Sequence, residues 1–99
     1  MRYLFLLNPT AGKRDCTAEL APAIQAAAQR AGIPPEKRKV VVTRYAGHAR
    51  ELAAEAAHTA QADGEPVRIW TAGGDGTFNE ALTGAQGCSL AAVGCLPFG

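Results

Sequence analysis

Apolar residues fall into two alternating rhythms along the chain. Tyr3-Leu4-Phe5-Leu6-Leu7 is continuous and closes at Asn8-Pro9. Such a run reads as a strand buried on both faces, as in a parallel sheet. Leu20, Ile24, Ala27, Ala28 and Ala31 then recur at helical spacing, and Gly32 supplies a stop. Pro22 must lie in the first turn of that helix or kink it, which leaves the start open between Cys16 and Ala21. Lys39-Val40-Val41-Val42-Thr43 is a β-branched second strand. A second helix carries Ala49, Leu52, Ala53, Ala56, Ala57 and Ala60 on one face, with Arg50, Glu51 and Glu55 off it and Gly64 at its end. Pro66-Val67-Arg68-Ile69-Trp70-Thr71 is a third strand that runs into Gly73-Gly74-Asp75-Gly76-Thr77. Thr77 and Glu80 have the spacing of a capping box, which opens a third helix. Ser89-Leu90-Ala91-Ala92-Val93 reads as the fourth strand. Strands and helices alternate with short connections. The expected fold is α/β: a three-layer α-β-α sandwich on a parallel sheet with right-handed crossovers.

Length and charge narrow the picture. The 99 residues give room for one domain. With 47% hydrophobic residues and a formal charge of +1, the chain lacks the signature of disorder. The charge also argues against a nucleic-acid partner or a charge-driven membrane module. No apolar run approaches the ~20 residues of a membrane span, and the opening run is too short for a secretory leader. The cysteines, Cys16, Cys88 and Cys95, are odd in number and form no CxxC pair. This disfavours a disulfide framework or zinc site and points to a reducing cytoplasm.

Chemistry in an open parallel sheet concentrates in the loops at the carboxyl ends of its strands. Three such loops are expected to converge on one edge: those beginning at Asn8, Thr43 and Gly73. Gly73-Gly74-Asp75-Gly76-Thr77 is the strongest signal. Its glycines allow close backbone approach and positive φ, its amides can cradle phosphate oxygens, and a helix N-terminus follows. Asp75 would repel phosphate directly. It suits Mg²⁺ held through water, or a hydrogen bond from a sugar or a loop amide. The same loop also reads as a plain turn with Asp75 and Thr77 as caps. Asn8-Pro9-Thr10-Ala11-Gly12-Lys13 reads as a turn in which Gly12 permits close approach and Lys13 could reach a phosphate. His48 reads as a helix-start residue, His58 as solvated and Trp70 as core. No P-loop is present: Gly12-Lys13 is followed by Arg14. A dinucleotide fingerprint also fails, because Asn79 stands where its third glycine belongs.

Taken together, Asn8-Pro9-Thr10-Ala11-Gly12, Thr43 with Gly47-His48-Ala49, Gly73 to Thr77 with Asn79-Glu80, and Pro97-Phe98-Gly99 resemble, in this order and spacing, the diacylglycerol kinase catalytic-domain family. That family includes bacterial lipid kinases, sphingosine kinases and ceramide kinases. The resemblance covers the whole chain. The GGDGT motif is shared with NAD kinases and, more loosely, phosphofructokinases; the Asn8 and Thr43 segments favour the lipid-kinase branch. The resemblance implies an N-terminal ATP-binding domain at 1–99, followed in the family by a β-sandwich domain with the lipid pocket and catalytic base. Carried over residue by residue, it assigns ATP contacts to Asn8, Pro9, Thr10, Ala11, Gly12, Thr43, Gly74, Asp75, Gly76, Thr77, Asn79 and Glu80. Gly73 joins them through the turn chemistry above. ATP and Mg²⁺ are the implied cofactors, with Asp75 the metal-associated carboxylate. No catalytic base can be carried over.

The leading expectation is therefore the ATP-binding domain of a lipid kinase, acting on a hydroxyl such as that of diacylglycerol. Such an enzyme would be cytoplasmic and peripheral, touching the membrane transiently, and a homodimer is one assembly the resemblance allows. Alternatives are an NAD-kinase-type domain with a soluble substrate and a non-catalytic nucleotide-binding module. The chain stops inside what reads as a loop at Gly99. It is expected to fold and, alone, to lack kinase activity.

Overall fold

The computed structural model describes residues 1–9 and 17–96. Its strands are β1 (Arg2–Leu7), β2 (Arg38–Val42), β3 (Val67–Ala72) and β4 (Ala91–Cys95). Its α-helices are α1 (Thr17–Arg30), α2 (His48–Asp63) and α3 (Asp75–Ala85), and Pro35–Lys37 forms one 3-10 turn before β2. The strands make one sheet in the order β2-β1-β3-β4, and every neighbouring pair is parallel. β1 lies inside, with Leu7 opposite Val42 on one side and Ala72 on the other. The order reverses at β1, so the crevice between the loops after β1 and β3 is the switch point of the sheet.

Burial alternates along β1 between two cores. Leu4 and Leu6 join Val67 and Ile69 beneath the alanines of α2 (Ala49, Ala53, Ala57, Ala60) and of α3 (Ala81, Ala85). Phe5, Leu7 and Ala72 face the other way, against Ile24 of α1, with Val40 and Trp70 packed alongside. The continuous apolar run thus serves both faces of the sheet, and the three-layer sandwich read from the pattern is the fold. Full burial of side chains such as Leu6, Leu7 and Ile69 contributes roughly 1.5–3 kcal/mol each.

Alanine faces bring the helices close. A Cβ built on Gly84 of α3 would stand 2.2 Å from the Arg50 carbonyl oxygen of α2, so this crossing is backbone against backbone. α1 ends in a Schellman motif: Ile33 N–H bonds the Ala28 carbonyl at 3.0 Å and Gly32 N–H bonds that of Gln29 at 3.1 Å.

α1 starts at Thr17, inside the expected bracket from Cys16 to Ala21; Cys16 itself lies outside the described residues. Pro22 stands at the sixth position, past the first turn, and is exposed. Two expectations are corrected. The last strand begins at Ala91 instead of Ser89. A turn around Gly87 uses those positions, with Cys88 N–H on the Ala85 carbonyl and Ala91 N–H on that of Cys88. α3 begins at Asp75 with Gly74 as its N-cap and no side-chain cap. Thr77 and Glu80 therefore do not form a capping box.

Candidate functional site

The loops after β1, β2 and β3 meet at the carboxyl edge of the sheet, as strand direction requires. Asn8 N–H donates to the Ala72 carbonyl at 2.9 Å, and Thr43 N–H donates to that of Leu7 at 2.8 Å. A cleft of about 770 Å³ opens between them, lined by Asn8, Pro9, Thr43, Tyr45, Thr77 and Glu80 among others.

Thr77 explains the absence of a capping box. Its hydroxyl donates to the Gly73 carbonyl at 3.3 Å and accepts from Asn8 Nδ2 at 3.1 Å. It is buried, and it ties the first loop to the third. Gly73 fits beneath this tie because it has no side chain: a Cβ there would lie 2.5 Å from Asn8 Cβ and 2.9 Å from Thr77 Oγ1. Thr43 is also braced, its hydroxyl donating to the Leu7 carbonyl at 3.3 Å.

Gly74 is different. Its φ of 86° and ψ of −174° lie in a region that is essentially glycine's alone. Among the described residues a Cβ there would meet nothing within 4 Å. Gly74, the N-cap, offers α3 no side-chain cap, and the first-turn amides carry the positive end of the helix dipole. A phosphate group fits that donor set. Asp75 is the exposed carboxylate at this end of the helix. Among the described residues no group of three or more His, Cys, Asp or Glu could hold a metal.

Of the residues expected at the site, Asn8, Pro9, Thr43, Thr77 and Glu80 line one cleft. Gly73 lies under Asn8, and Gly74, Asp75 and Gly76 are exposed on the adjoining turn. Asn79 is exposed on α3 and does not line the cleft. Thr10, Ala11, Gly12 and Lys13 lie outside the described residues, as do Pro97, Phe98 and Gly99. His48 does start α2, where its Nδ1 accepts the Arg44 N–H at 2.9 Å. His58 is exposed, and Trp70 packs in the α1-side core.

The loop from Thr43 to His48 was expected at this edge, and the structure adds that Val42, Arg44, Tyr45 and Ala46 form a wall of the cleft, with Tyr45 not singled out beforehand. The available signal was an aromatic residue in a loop that follows a parallel strand. Tyr45 stacks on His48, with ring centroids 4.4 Å apart and planes inclined by 14°. Its hydroxyl donates to Glu51 Oε2, and this bond pushes the phenol above its ordinary pKa.

A parallel sheet with a glycine turn opening a helix at its switch point defines the class as an open α/β domain. The sequence profile of the diacylglycerol kinase catalytic domain matches residues 2–99. The chain belongs to that family, and with it to the kinases. No curated protein matches the chain closely enough to add a nearer relative.

Proposed function

We propose that the chain is the ATP-binding domain of a lipid kinase. The phosphates of ATP sit on the turn from Gly73 to Thr77, and the nucleoside extends along the cleft toward Thr43. The observation that carries this reading is the N-terminus of α3: its N-cap Gly74 has no side-chain cap, takes a conformation other residues avoid and, among the described residues, has nothing within 4 Å of its would-be Cβ position. Mg²⁺ bound with the triphosphate supplies charge neutralisation for phosphoryl transfer, and Asp75 is the residue that would hold it. Asn8 and Thr77 keep the two loops in register, so the cradle is formed before the ligand arrives. The acceptor lipid and the base that activates its hydroxyl belong to a second domain, and the enzyme works in the cytoplasm at a membrane surface. Among the described residues no helix is long and apolar enough to cross a membrane.

The test is an assay of the whole protein with ATP, Mg²⁺ and diacylglycerol in mixed micelles, beside Asp75→Ala. Activity should fall by about two orders of magnitude or more in the variant, the scale of a lost charge-stabilising group, with an unchanged circular dichroism spectrum. Wild-type turnover by Asp75→Ala would make Asp75 structural only. Transfer to NAD in place of any lipid would overturn the lipid reading and keep the kinase.

A further inference from the structure

Tyr45 is 55% exposed, yet its side chain is held at two points. Its ring lies flat on His48. Its hydroxyl is bonded to Glu51, one turn into α2. The residue beneath it is fixed in turn, because His48 Nδ1 accepts the Arg44 amide. An exposed ring with this many restraints has paid its rotamer entropy before any ligand binds. The ring also lines the cleft that holds Asn8, Thr43 and Thr77. β2 and β3 flank β1, so the loops that follow them stand two strand spacings apart, roughly 10 Å. A ligand anchored by phosphates on the glycine turn reaches Tyr45 only with the part beyond its phosphates. For a nucleotide, that part is the sugar and the base.

We propose that the Tyr45–His48 stack is the platform on which the base of the nucleotide lies, making Tyr45 a binding-specificity residue of this site. The inference rests on the ATP-binding reading above and assigns the end of the cleft that the phosphate argument leaves open. A flat π-face suits a planar heterocycle, and a purine covers more of it than a pyrimidine does. The phosphates give the ligand its charge and anchor; the ring pair selects for the presence and size of a base.

The experiment compares wild type, Tyr45→Ala and Tyr45→Phe in the whole protein. Isothermal titration calorimetry measures affinity for Mg-ATP and, separately, for inorganic tripolyphosphate, which has no base. Tyr45→Ala should bind ATP about tenfold more weakly, as expected for one base–aromatic stack, and should bind tripolyphosphate as wild type does. Tyr45→Phe keeps the ring and should stay close to wild type for both ligands. Tyr45→Leu repeats the comparison if the alanine variant does not fold.

Wild-type ATP affinity in Tyr45→Ala overturns the platform. So does a parallel loss for ATP and tripolyphosphate, which would mean a displaced loop, or a loss in Tyr45→Phe as large as in Tyr45→Ala, which would place the effect in the Glu51 bond. In each of these cases wild type still binds ATP, and the nucleotide reading stands. Failure of wild type to bind either ligand removes both readings.

Discussion

Gly73 and Gly74 are adjacent glycines kept for opposite reasons. Gly73 has no room: its would-be Cβ meets Asn8 and Thr77 at under 3 Å. Gly74 has room and lacks only an alternative backbone conformation. Gly73→Ala should destabilise the protein by about 1–3 kcal/mol through overpacking and should prise apart the Asn8–Thr77 tie. Urea unfolding reads the first effect and loss of nucleotide affinity the second. Gly74→Val costs strain of a similar order and also places two methyls where the phosphates would approach. Its nucleotide affinity should fall further than its stability accounts for, which titration at a temperature where the variant remains folded would register. That Asn8 and Thr43 lie at the cleft was legible because each belongs to a loop at the end of a parallel strand; Glu80 was named as a site residue only through the family resemblance. The use of Thr77 was not legible. Its spacing from Glu80 signals a cap, and only the folded chain shows Asn8, 69 residues away, competing for the same hydroxyl. The loop carrying Tyr45 was expected at this edge, but its stack on His48 and its bond to Glu51 appear only in the folded chain.

At the scale of elements, α2 and α3 pack with almost nothing between them. Gly84→Ala is the sharp test of that contact. Alanine is the better helix former by about 1 kcal/mol. Its methyl, however, would press on the Arg50 carbonyl at 2.2 Å and the Ala54 nitrogen at 3.0 Å, and backbone has no rotamer with which to yield. The clash outweighs the propensity gain, and a net loss of about 1–3 kcal/mol is expected, measured as a lower urea midpoint at unchanged slope. α1 and α2 were read correctly because apolar residues recurred at their period over several turns, a signal that averages out local noise; α3 was expected from a capping box that does not form. The strands are short, so a single turn can displace them. The turn at Gly87 moved the last strand by two residues, while β1 differs by one residue at one end and β2 and β3 by one at each end.

Across the whole molecule, the two edges of the sheet divide the work. The carboxyl edge holds the cleft. The amino edge holds an ion-pair cluster in which Glu65 faces Lys37 Nζ at 2.9 Å, the Met1 α-ammonium at 3.1 Å and Arg2 Nε at 3.3 Å. Hydrogen bonds from Lys37 and the α-ammonium lower the Glu65 carboxyl from 4.5 to about 2. A carboxylate with a depressed pKa stabilises the fold above its unfolded pKa and loses that contribution as pH falls through the folded value. Stability should therefore decline between about pH 4.5 and about pH 2, and Glu65→Gln should flatten this part of the profile. Thermal midpoints at stepped pH would check it. An equally steep decline in the variant would assign acid sensitivity to other carboxylates.

The Asn8–Thr77 tie has a consequence for how the chain acquires function over time. β1 is the first strand to be synthesised, but its β3 partner follows only after β2 and α2: Arg2 lies opposite Val67. The cleft has no existence in a chain that has made only β1, α1 and β2, because one of its walls has not yet been translated. Nothing local can pre-form it. A ligand that bridges the loops after β1 and β3 therefore binds the finished topology alone and adds its binding energy to the whole fold, about 2.7 kcal/mol at a hundredfold excess over its dissociation constant. Occupancy of the cleft is in this sense a readout of completed assembly, and a nascent or misthreaded chain would be silent to it.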